Sequence, residues 1–486
     1  MSRIENRTFS ELQIGDAASI VRTLAQRDIE LFAVMSGDVN PAHVDEEFAK
    51  SDMFHHVIAH GMWGGALIST VLGTQLPGPG AIYLGQSLRF RHPVALGDTI
   101  TITVKVLEKL EEKKRVIFDC TATNQKGEVV ISGTAEVIAP SEKISRERVA
   151  LPEVKLLVRG RHYQKLIEAT KGLPPIRTAV VHPVDALSLL SAAEAAKAQL
   201  IVPILIGPEP KIRAAARQAQ IDPSQYEILH TPYSHAAAEL AVAMARELHV
   251  DALMRGAIAA EELMHFGDCP PGLRTERRFS HVFAADVPSY PRPLFITDTA
   301  INIYPNVEEK RDIVQNVIEL LHAVGIAVPK IAILAAQEKI SARLSSTLDA
   351  AVLCKMTERD QITGALLDGP LGFDVAISEI AAKSKGVQSP VAGRADVVVV
   401  PDLEAGSILI KQLRQLAEAQ VAGLILGGRV PVILNSKEDD AIARLASCAL
   451  ALRLVRYKQN LASHSSHTAD DPAKQADQAT CSRWGT

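Results

Sequence analysis

Ala59-His60-Gly61-Met62-Trp63-Gly64-Gly65-Ala66-Leu67-Ile68-Ser69-Thr70-Val71-Leu72 leads through one histidine into an apolar run broken only by small and hydroxyl residues. From Trp63 to Leu72 it reads as a buried helix, with Gly64, Gly65 and Ala66 as small residues along it. Its first turn would present free N–H groups, that of Gly61 included, at the positive end of the helix dipole. Such a site suits a developing oxyanion. Downstream, Gly97-Asp98 opens the stretch Thr99 to Glu108. There Thr99, Thr101, Thr103 and Lys105 alternate with Ile100, Ile102, Val104 and Val106 in the manner of a half-buried strand. Further strands are expected over Arg115 to Thr123 and Glu128 to Ile138. One long apolar helix followed by antiparallel strands is a helix-wrapped sheet.

Upstream stands Gly37-Asp38-Val39-Asn40-Pro41-Ala42-His43-Val44-Asp45. It sets a carboxylate and an imidazole five residues apart across a proline turn, and Asn40-Pro41 biases the backbone away from a continuing helix. Asp38 and His43 aimed into one pocket would be a general acid/base pair. The plainer reading is an Asx turn that ends a helix, with His43 merely hydrogen-bonded. Spacing alone leaves both open.

The residues around this turn carry a resemblance. Residues of roughly 10–140 resemble the MaoC-type (R)-specific enoyl-CoA hydratases, which have the hot-dog fold. The match comprises Ser36-Gly37-Asp38-x-Asn40-Pro41-x-His43, His60-Gly61-Met62, Leu76-Pro77-Gly78, Ile82-Tyr83-Leu84-Gly85-Gln86-Ser87, and Phe90 with Pro93-Val94. The resemblance implies that Asp38 and His43 are the catalytic pair. It also implies that the Gly61 amide holds the thioester oxygen, and that Ser69 and Asn40 position water or the acidic group. Hydration of a trans-2-enoyl-CoA needs water activated at C3, a proton delivered to C2 and a stabilised enolate oxygen. Pairing of two protomers is likewise implied by the family.

The chain has 486 residues, too many for one core, so two or three domains are expected. It is 47% hydrophobic, with 52 basic and 56 acidic residues and a net charge of −4, which makes no electrostatic case for nucleic acid or anionic membrane. The five cysteines, Cys120, Cys269, Cys354, Cys448 and Cys481, form no C-x-x-C pair. That argues against a metal site of the zinc type and against a disulfide framework, and favours a reducing cytoplasm. The first residues, Met1-Ser2-Arg3-Ile4-Glu5-Asn6, lack the apolar core of a signal peptide, and no apolar run reaches membrane-spanning length.

Residues 140–148 are polar and charged and read as the start of a linker. Beyond about Leu156 strand-length apolar runs alternate with amphipathic helical stretches. Thr178 to His182, Ile201 to Ile206, Ala252 to Met254, Leu294 to Thr297, Ile331 to Ala335, Gly364 to Leu367, Val397 to Val400, Leu424 to Leu426 and Val432 to Leu434 are the expected strands. This alternation means a parallel sheet covered on both faces. In such a sheet ligands gather at the carboxyl ends of the strands. Arg255-Gly256 ends one strand, Asp368-Gly369-Pro370 another, and Ser436 follows a third. Arg255 or Arg394 taken singly reads more readily as a surface ion pair. There is no G-x-x-x-x-G-K-[ST], so a Walker-type nucleotide site is unsupported. Residues 463–486 are polar and read as a disordered tail.

Residues of roughly 160–455 resemble the phosphate acetyl/butyryltransferases. The matching runs are Met254-Arg255-Gly256, Arg278 with Ser280-His281-Val282-Phe283, Thr297-Asp298-Thr299-Ala300, Asn302-x-x-Pro305, Asp368-Gly369-Pro370, Phe373-Asp374, Ser389-Pro390-Val391-Ala392-Gly393-Arg394-Ala395-Asp396, Ala405-Gly406, and Val430 to Ser436. That family moves an acyl group between coenzyme A and inorganic phosphate: a base takes the thiol proton, the thiolate attacks acyl phosphate, and cations and amides hold the phosphate. The resemblance implies Ser436 with Asp439 or Asp440 as catalytic residues. It implies Arg255, Ser389, Gly393, Arg394 and Lys437 as substrate-binding ones. One departure matters: the family usually has Ser-Arg where this chain has Ser436-Lys437. Arginine grips phosphate with a planar fork, whereas lysine is a point charge.

The expected organisation is an α+β hot-dog domain at 10–140, a linker at 141–157, and a two-subdomain α/β parallel-sheet phosphate acyltransferase at 158–458. A disordered tail at 459–486 ends the chain. The expected function is bifunctional. The expected partners are acyl-CoA, CoA and inorganic or acyl phosphate, with no cofactor, no metal, no nucleic acid and no membrane. A homodimer or larger assembly through both domains follows from the families. Two alternatives stand beside it: a hydratase whose C-terminal half only binds CoA or assembles the protein, and a non-enzymatic acyl-CoA scaffold.

Overall fold

The computed structural model describes residues 3–154, 156–268, 272–436 and 438–469. It divides into two units, Met1–Leu156 and Leu157–Thr486.

The first unit contains helices α1 (Gln26–Ser36), α2 (Pro41–Val44), α3 (Glu46–Ser51) and α4 (Gly61–Thr74). Its strands are β1 (Arg3–Glu5), β2 (Ala17–Thr23), β3 (Ile82–Phe90), β4 (Thr99–Leu110), β5 (Arg115–Thr123), β6 (Val129–Ile138) and β7 (Ser145–Glu147). Five strands form an antiparallel sheet in the order β2-β4-β5-β6-β3. Alternation sends Ile100, Ile102, Val104 and Val106 of β4, and Val116, Phe118, Cys120 and Ala122 of β5, to one face. That face packs with Trp63, Ile68, Val71 and Leu72 of α4 in one core. Gly64 lets helix and sheet meet: a Cβ there would lie 2.2 Å from Ile131 Cδ1. Gly37 ends α1 in the left-handed conformation, φ 75°, and turns the chain toward Asp38.

The segment expected as a linker is partly built into this unit. Strand β7 pairs antiparallel with β1, and Asn6 donates to Glu142 O at 2.8 Å while accepting from Ile144 N–H at 2.8 Å. The pairing partner lies about 140 residues away, so local composition could not reveal it.

The second unit is built on strands β8 (Ile176–Val181), β9 (Ile201–Gly207), β10 (Glu227–His230), β11 (Ala252–Arg255), β12 (Ser280–Asp286), β13 (Leu294–Thr297), β14 (Lys330–Leu334), β15 (Leu366–Leu371), β16 (Val397–Val399), β17 (Gln420–Leu426) and β18 (Val432–Leu434). They form one sheet in the order β10-β9-β8-β11-β18-β17-β12-β13-β16-β14-β15. The sheet is mostly parallel, as expected, but not wholly. Strand β17 runs antiparallel to β18 and β12, and β12 antiparallel to β13. The two flanks are each parallel, β10-β9-β8-β11-β18 and β13-β16-β14-β15, and they point in opposite directions. Strands buried on both faces carry no alternation that would announce their direction. The final helix, Ala441–Ala469, runs past position 459, so the expected tail is helical at its start. Residues 470–486 lie outside the described residues.

Candidate active sites

The proline turn and the start of α4 build the first site. Asn40 caps α2, its Oδ1 accepting from Ala42 N–H at 3.2 Å, and Asp38 Oδ1 accepts from Asn40 N–H at 3.2 Å. The Asx turn is therefore real, and the cluster forms as well. His43 Nδ1 lies 3.0 Å from the carbonyl of Ile58. A carbonyl only accepts, so Nδ1 carries the proton and Nε2 of the neutral ring keeps its lone pair. His60 is buried, and its Nε2 lies 3.0 Å from the main-chain carbonyl of Asp38. The ring centroids of His43 and His60 lie 4.0 Å apart with the planes tilted by 35°, and Phe32 lies against His60 at 4.9 Å. Asp38, His43 and His60 each offer a donor atom within 4.8 Å of the others.

His43, His60 and Gly61 line a cavity of about 340 Å³ whose other walls include Ile58, Trp63, Phe90, Val94 and Ile131. Gly61 opens α4, where first-turn amides have no acceptor within the helix. Gly61 and His43 thus share one largely apolar cavity. Asp38 is exposed and does not itself line this cavity, but its carboxylate lies within 4.8 Å of ring nitrogens of His43 and His60. Ser69 does not join them. It is exposed on α4, eight residues beyond Gly61, about 12 Å along the helix axis. Asn40 is committed to its turn.

His60 is the participant that the sequence reading left without a role, although it stands beside Gly61 in the quoted run. It props the Asp38 carbonyl and backs the His43 ring. His60→Phe keeps the ring and loses the N–H, so hydration at this site should fall about tenfold at unchanged KM, the worth of one hydrogen bond. His60→Gln should recover most of the rate. Steady-state kcat for the two variants checks this.

The second unit carries the other candidates. Arg255 ends β11, and Asn435-Ser436 follow the neighbouring strand β18, so the carboxyl ends of adjacent parallel strands bring them together. They line a cavity of about 300 Å³ with Asp185, Ser188, Ser191 and Gly256. The Arg255 guanidinium donates to the main-chain carbonyl of Asn435. Asp439 is buried behind Ser436. One carboxylate oxygen accepts from Ser436 N–H at 2.6 Å, and the other pairs with Arg414. Burial pushes the Asp439 carboxyl above the ordinary carboxylate range, against the pull of the Ser436 amide and Arg414. Asp440 instead caps the last helix, accepting from Ala443 N–H at 2.9 Å, and bonds Gln420. Asp439 is thus the carboxylate attached to Ser436. It lines a separate polar cavity with Arg159, Arg414 and Glu438. Lys437 lies outside the described residues.

The expected residues Ser389, Gly393 and Arg394 line neither cavity. They precede β16, four strand positions from β18, or roughly 19 Å across the sheet at ~4.8 Å per strand. Ser389 Oγ accepts from Val391 and Ala392 N–H at 3.0 and 3.2 Å. Arg394 pairs with exposed Glu379 at 2.5 Å.

The runs near Thr297 make a frame rather than a mouth. Buried Asp298 accepts from the N–H groups of Ala300 and Ile301 at 2.9 and 3.0 Å and from Asn302 Nδ2 at 2.6 Å. Arg278 Nε donates to Asn302 Oδ1 at 2.6 Å. His281 is buried, 2.7 Å from Thr299 Oγ1, and burial drives its pKa from 6.5 down to about 3. The folded ring stays neutral, while an unfolded ring takes a proton near pH 6.5. The stability this contributes is full above that pH and is lost as pH falls toward 3, by up to about 1.4 kcal/mol per unit. Denaturant midpoints should therefore fall from pH 6.5 to 4.5 in the native chain and fall less in His281→Asn. Equal slopes would remove His281 as the cause.

Comparison with known proteins agrees with this division. Residues 231–451 match the family described as "Phosphate acetyl/butaryl transferase", and residues 14–128 match "MaoC like domain". A phosphate acetyltransferase of Rhizobium meliloti is 53% identical over 290 residues, covering 60% of this chain and 92% of that protein. A branched-chain phosphotransacylase from Enterococcus faecalis V583 aligns at 27% identity and TM-score 0.51, over 58% of this chain and 99% of its own. The unliganded R-hydratase PhaJ1 from Pseudomonas aeruginosa aligns at 47% identity and TM-score 0.31, over 32% of this chain and 99% of its own. Through its second unit this chain belongs to the phosphate acetyl/butyryltransferase family, and its first unit carries a MaoC-like domain.

Proposed function

We propose that this chain is a bifunctional acyl-CoA enzyme. Its first unit hydrates trans-2-enoyl-CoA to (R)-3-hydroxyacyl-CoA, and its second exchanges an acyl group between CoA and inorganic phosphate. The observation that carries the first activity is His43, whose tautomer is set by the Ile58 carbonyl so that Nε2 faces its surroundings as a base. In this reading Nε2 takes a proton from water as oxygen attacks C3, the Gly61 amide receives the enolate oxygen, and the proton gained by the Asp38–His43 pair is passed on to C2. In the second activity Arg255 holds the phosphoryl group while the CoA sulfur attacks the acyl carbon; the acyl–oxygen bond breaks, and the thiol proton passes to the departing phosphate. Asp439 holds the Ser436 turn in place. Neither step calls on a metal or prosthetic group.

Exposed Ile82, Leu84 and Phe90 on β3 and Met62 on α4 support pairing of two copies through the first unit. No helix among the described residues is long and apolar enough to cross a membrane, and the free cysteines Cys120, Cys354 and Cys448 support a cytoplasmic setting. The deciding experiment assays both reactions on one purified preparation: crotonyl-CoA hydration, and acetyl or butyryl phosphate formation from the acyl-CoA and phosphate. Absence of either rate sinks the bifunctional reading.

A second reading, a hydratase whose other half only binds CoA or assembles the protein, has one observation in its favour. Both oxygens of Asp439 are committed, to Ser436 and Arg414, so no carboxylate oxygen there is idle as a base. The lysine at 437 points the same way. Lys437→Arg should raise acyl transfer severalfold if the missing bidentate phosphate contact is the defect; an unchanged rate would discard that explanation.

A further inference from the structure

Four side-chain atoms at the carboxyl ends of β8, β11 and β18 are buried without a hydrogen-bond partner among the described residues: His182 Nδ1, Arg255 Nε, and both Nδ2 and Oδ1 of Asn435. Asn435 is 9% exposed and lines the cavity that also holds Arg255 and Ser436. Its main-chain carbonyl is already taken by Arg255, so its carboxamide alone stands idle. Two of its polar neighbours are engaged within their own helix. Asp185 caps its helix through Ser188 N–H at 2.7 Å, and Ser191 donates to Leu187 O at 2.8 Å. A buried donor and a buried acceptor left unpaired on one side chain are costly, and native folds rarely keep them without something that completes them.

The shape of the deficit says what completes it. Nδ2 needs an acceptor and Oδ1 needs a donor, side by side in one plane. A phosphate presents mainly acceptor oxygens. It would satisfy Nδ2 and press negative charge on Oδ1, and Arg255 already serves phosphate in this cavity. A trans secondary amide points its carbonyl and its N–H to opposite sides, so two amides in succession meet this edge, the N–H of one beside the carbonyl of the next. The pantetheine arm of coenzyme A contains two such amides. A cavity near 300 Å³ sits at the small end of ligand pockets, enough for part of that arm and not for the whole molecule.

We propose that Asn435 is a specificity-determining residue for the thiol substrate, its Nδ2 donating to the carbonyl of one amide of the pantetheine arm and its Oδ1 accepting from the N–H of the other. This rests on the acyl-transfer reading of the same cavity. Asn435→Leu removes both polar atoms at similar volume, and Asn435→Asp keeps the acceptor and loses the donor. Calorimetric binding of CoA should weaken roughly 10- to 100-fold in Asn435→Leu and by an intermediate factor in Asn435→Asp. KM for CoA should rise in parallel, with KM for acetyl phosphate changed less than about threefold. N-Acetylcysteamine has one amide and ethanethiol has none. The native preference for the former as acyl acceptor should collapse in Asn435→Leu.

Unchanged CoA affinity in both variants, each shown folded by its melting curve, would overturn the proposal. So would an equal rise in KM for both substrates, which marks a merely structural residue. If the native chain binds CoA but transfers no acetyl group, the acyl-transfer reading fails, while loss of CoA binding in Asn435→Leu still upholds the contact. If the native chain neither binds CoA nor transfers, both fall.

Discussion

Asp38→Asn and His43→Gln are each expected to lower crotonyl-CoA hydration by about 10³-fold, leaving the fold and the acyl transfer of the second unit intact. A positioned general acid or base contributes typically 10²- to 10⁴-fold. Both substitutions keep volume and main-chain geometry, so the loss reads on proton transfer. His43→Gln can still donate to the Ile58 carbonyl, which His43 contacts at 3.0 Å, yet it offers no basic nitrogen. Asp38→Asn can still accept from Asn40 N–H, which Asp38 bonds at 3.2 Å, and so retains the turn. The double variant should be no worse than the poorer single one by more than a few fold, because the two groups act on one transition state. Loss of enoyl absorbance measures the rate. Normal hydration in either single variant would dismiss the pair.

Arg255→Gln is expected to lower acyl transfer by about 10²- to 10³-fold, the loss usual when a charged or amide donor to a developing charge is removed. Arg255 lines the cavity beside Ser436, and Asp185, the carboxylate of the same wall, is engaged in capping its helix. Phosphate brought into this cavity would meet the guanidinium. The effect should appear in KM for phosphate as well as in kcat, and Arg255→Lys should recover only part of it, since a point charge lacks the fork. Acetyl phosphate formed from acetyl-CoA measures it. A native rate in Arg255→Gln would move the phosphate site elsewhere, and the loop at Ser389 to Arg394 would then be the next place to look.

The outlines of the first unit were legible in the residues. The apolar run ending at Leu72 and the alternation of β4 and β5 are local patterns set by side-chain periodicity, and both elements lie where that periodicity put them. The turn at Asp38 was legible too, because Asn-Pro chemistry acts within a few residues. In the second unit the strand-length runs were visible, but β10 and β12 were not singled out. The reversal of direction at β17 and β13 is a matter of pairing, which the residues of a strand buried on both faces do not encode singly.

The sites divide in the same way. Sequence by itself determined which groups could do chemistry: a carboxylate and an imidazole across one turn, an amide at a helix start, and an arginine at a strand end. Only the tertiary structure decided their company. It set His60 against His43 and the Asp38 carbonyl, attached Asp439 rather than Asp440 to Ser436, and left Ser69, Ser389, Gly393 and Arg394 apart from the cavities. It also exposed the idle carboxamide of Asn435. The physical reason is range. Propensity, capping and alternation act over a few residues along the chain, whereas a hydrogen-bond partner, a tautomer or an unsatisfied buried atom depends on strands and helices brought together from far apart in sequence.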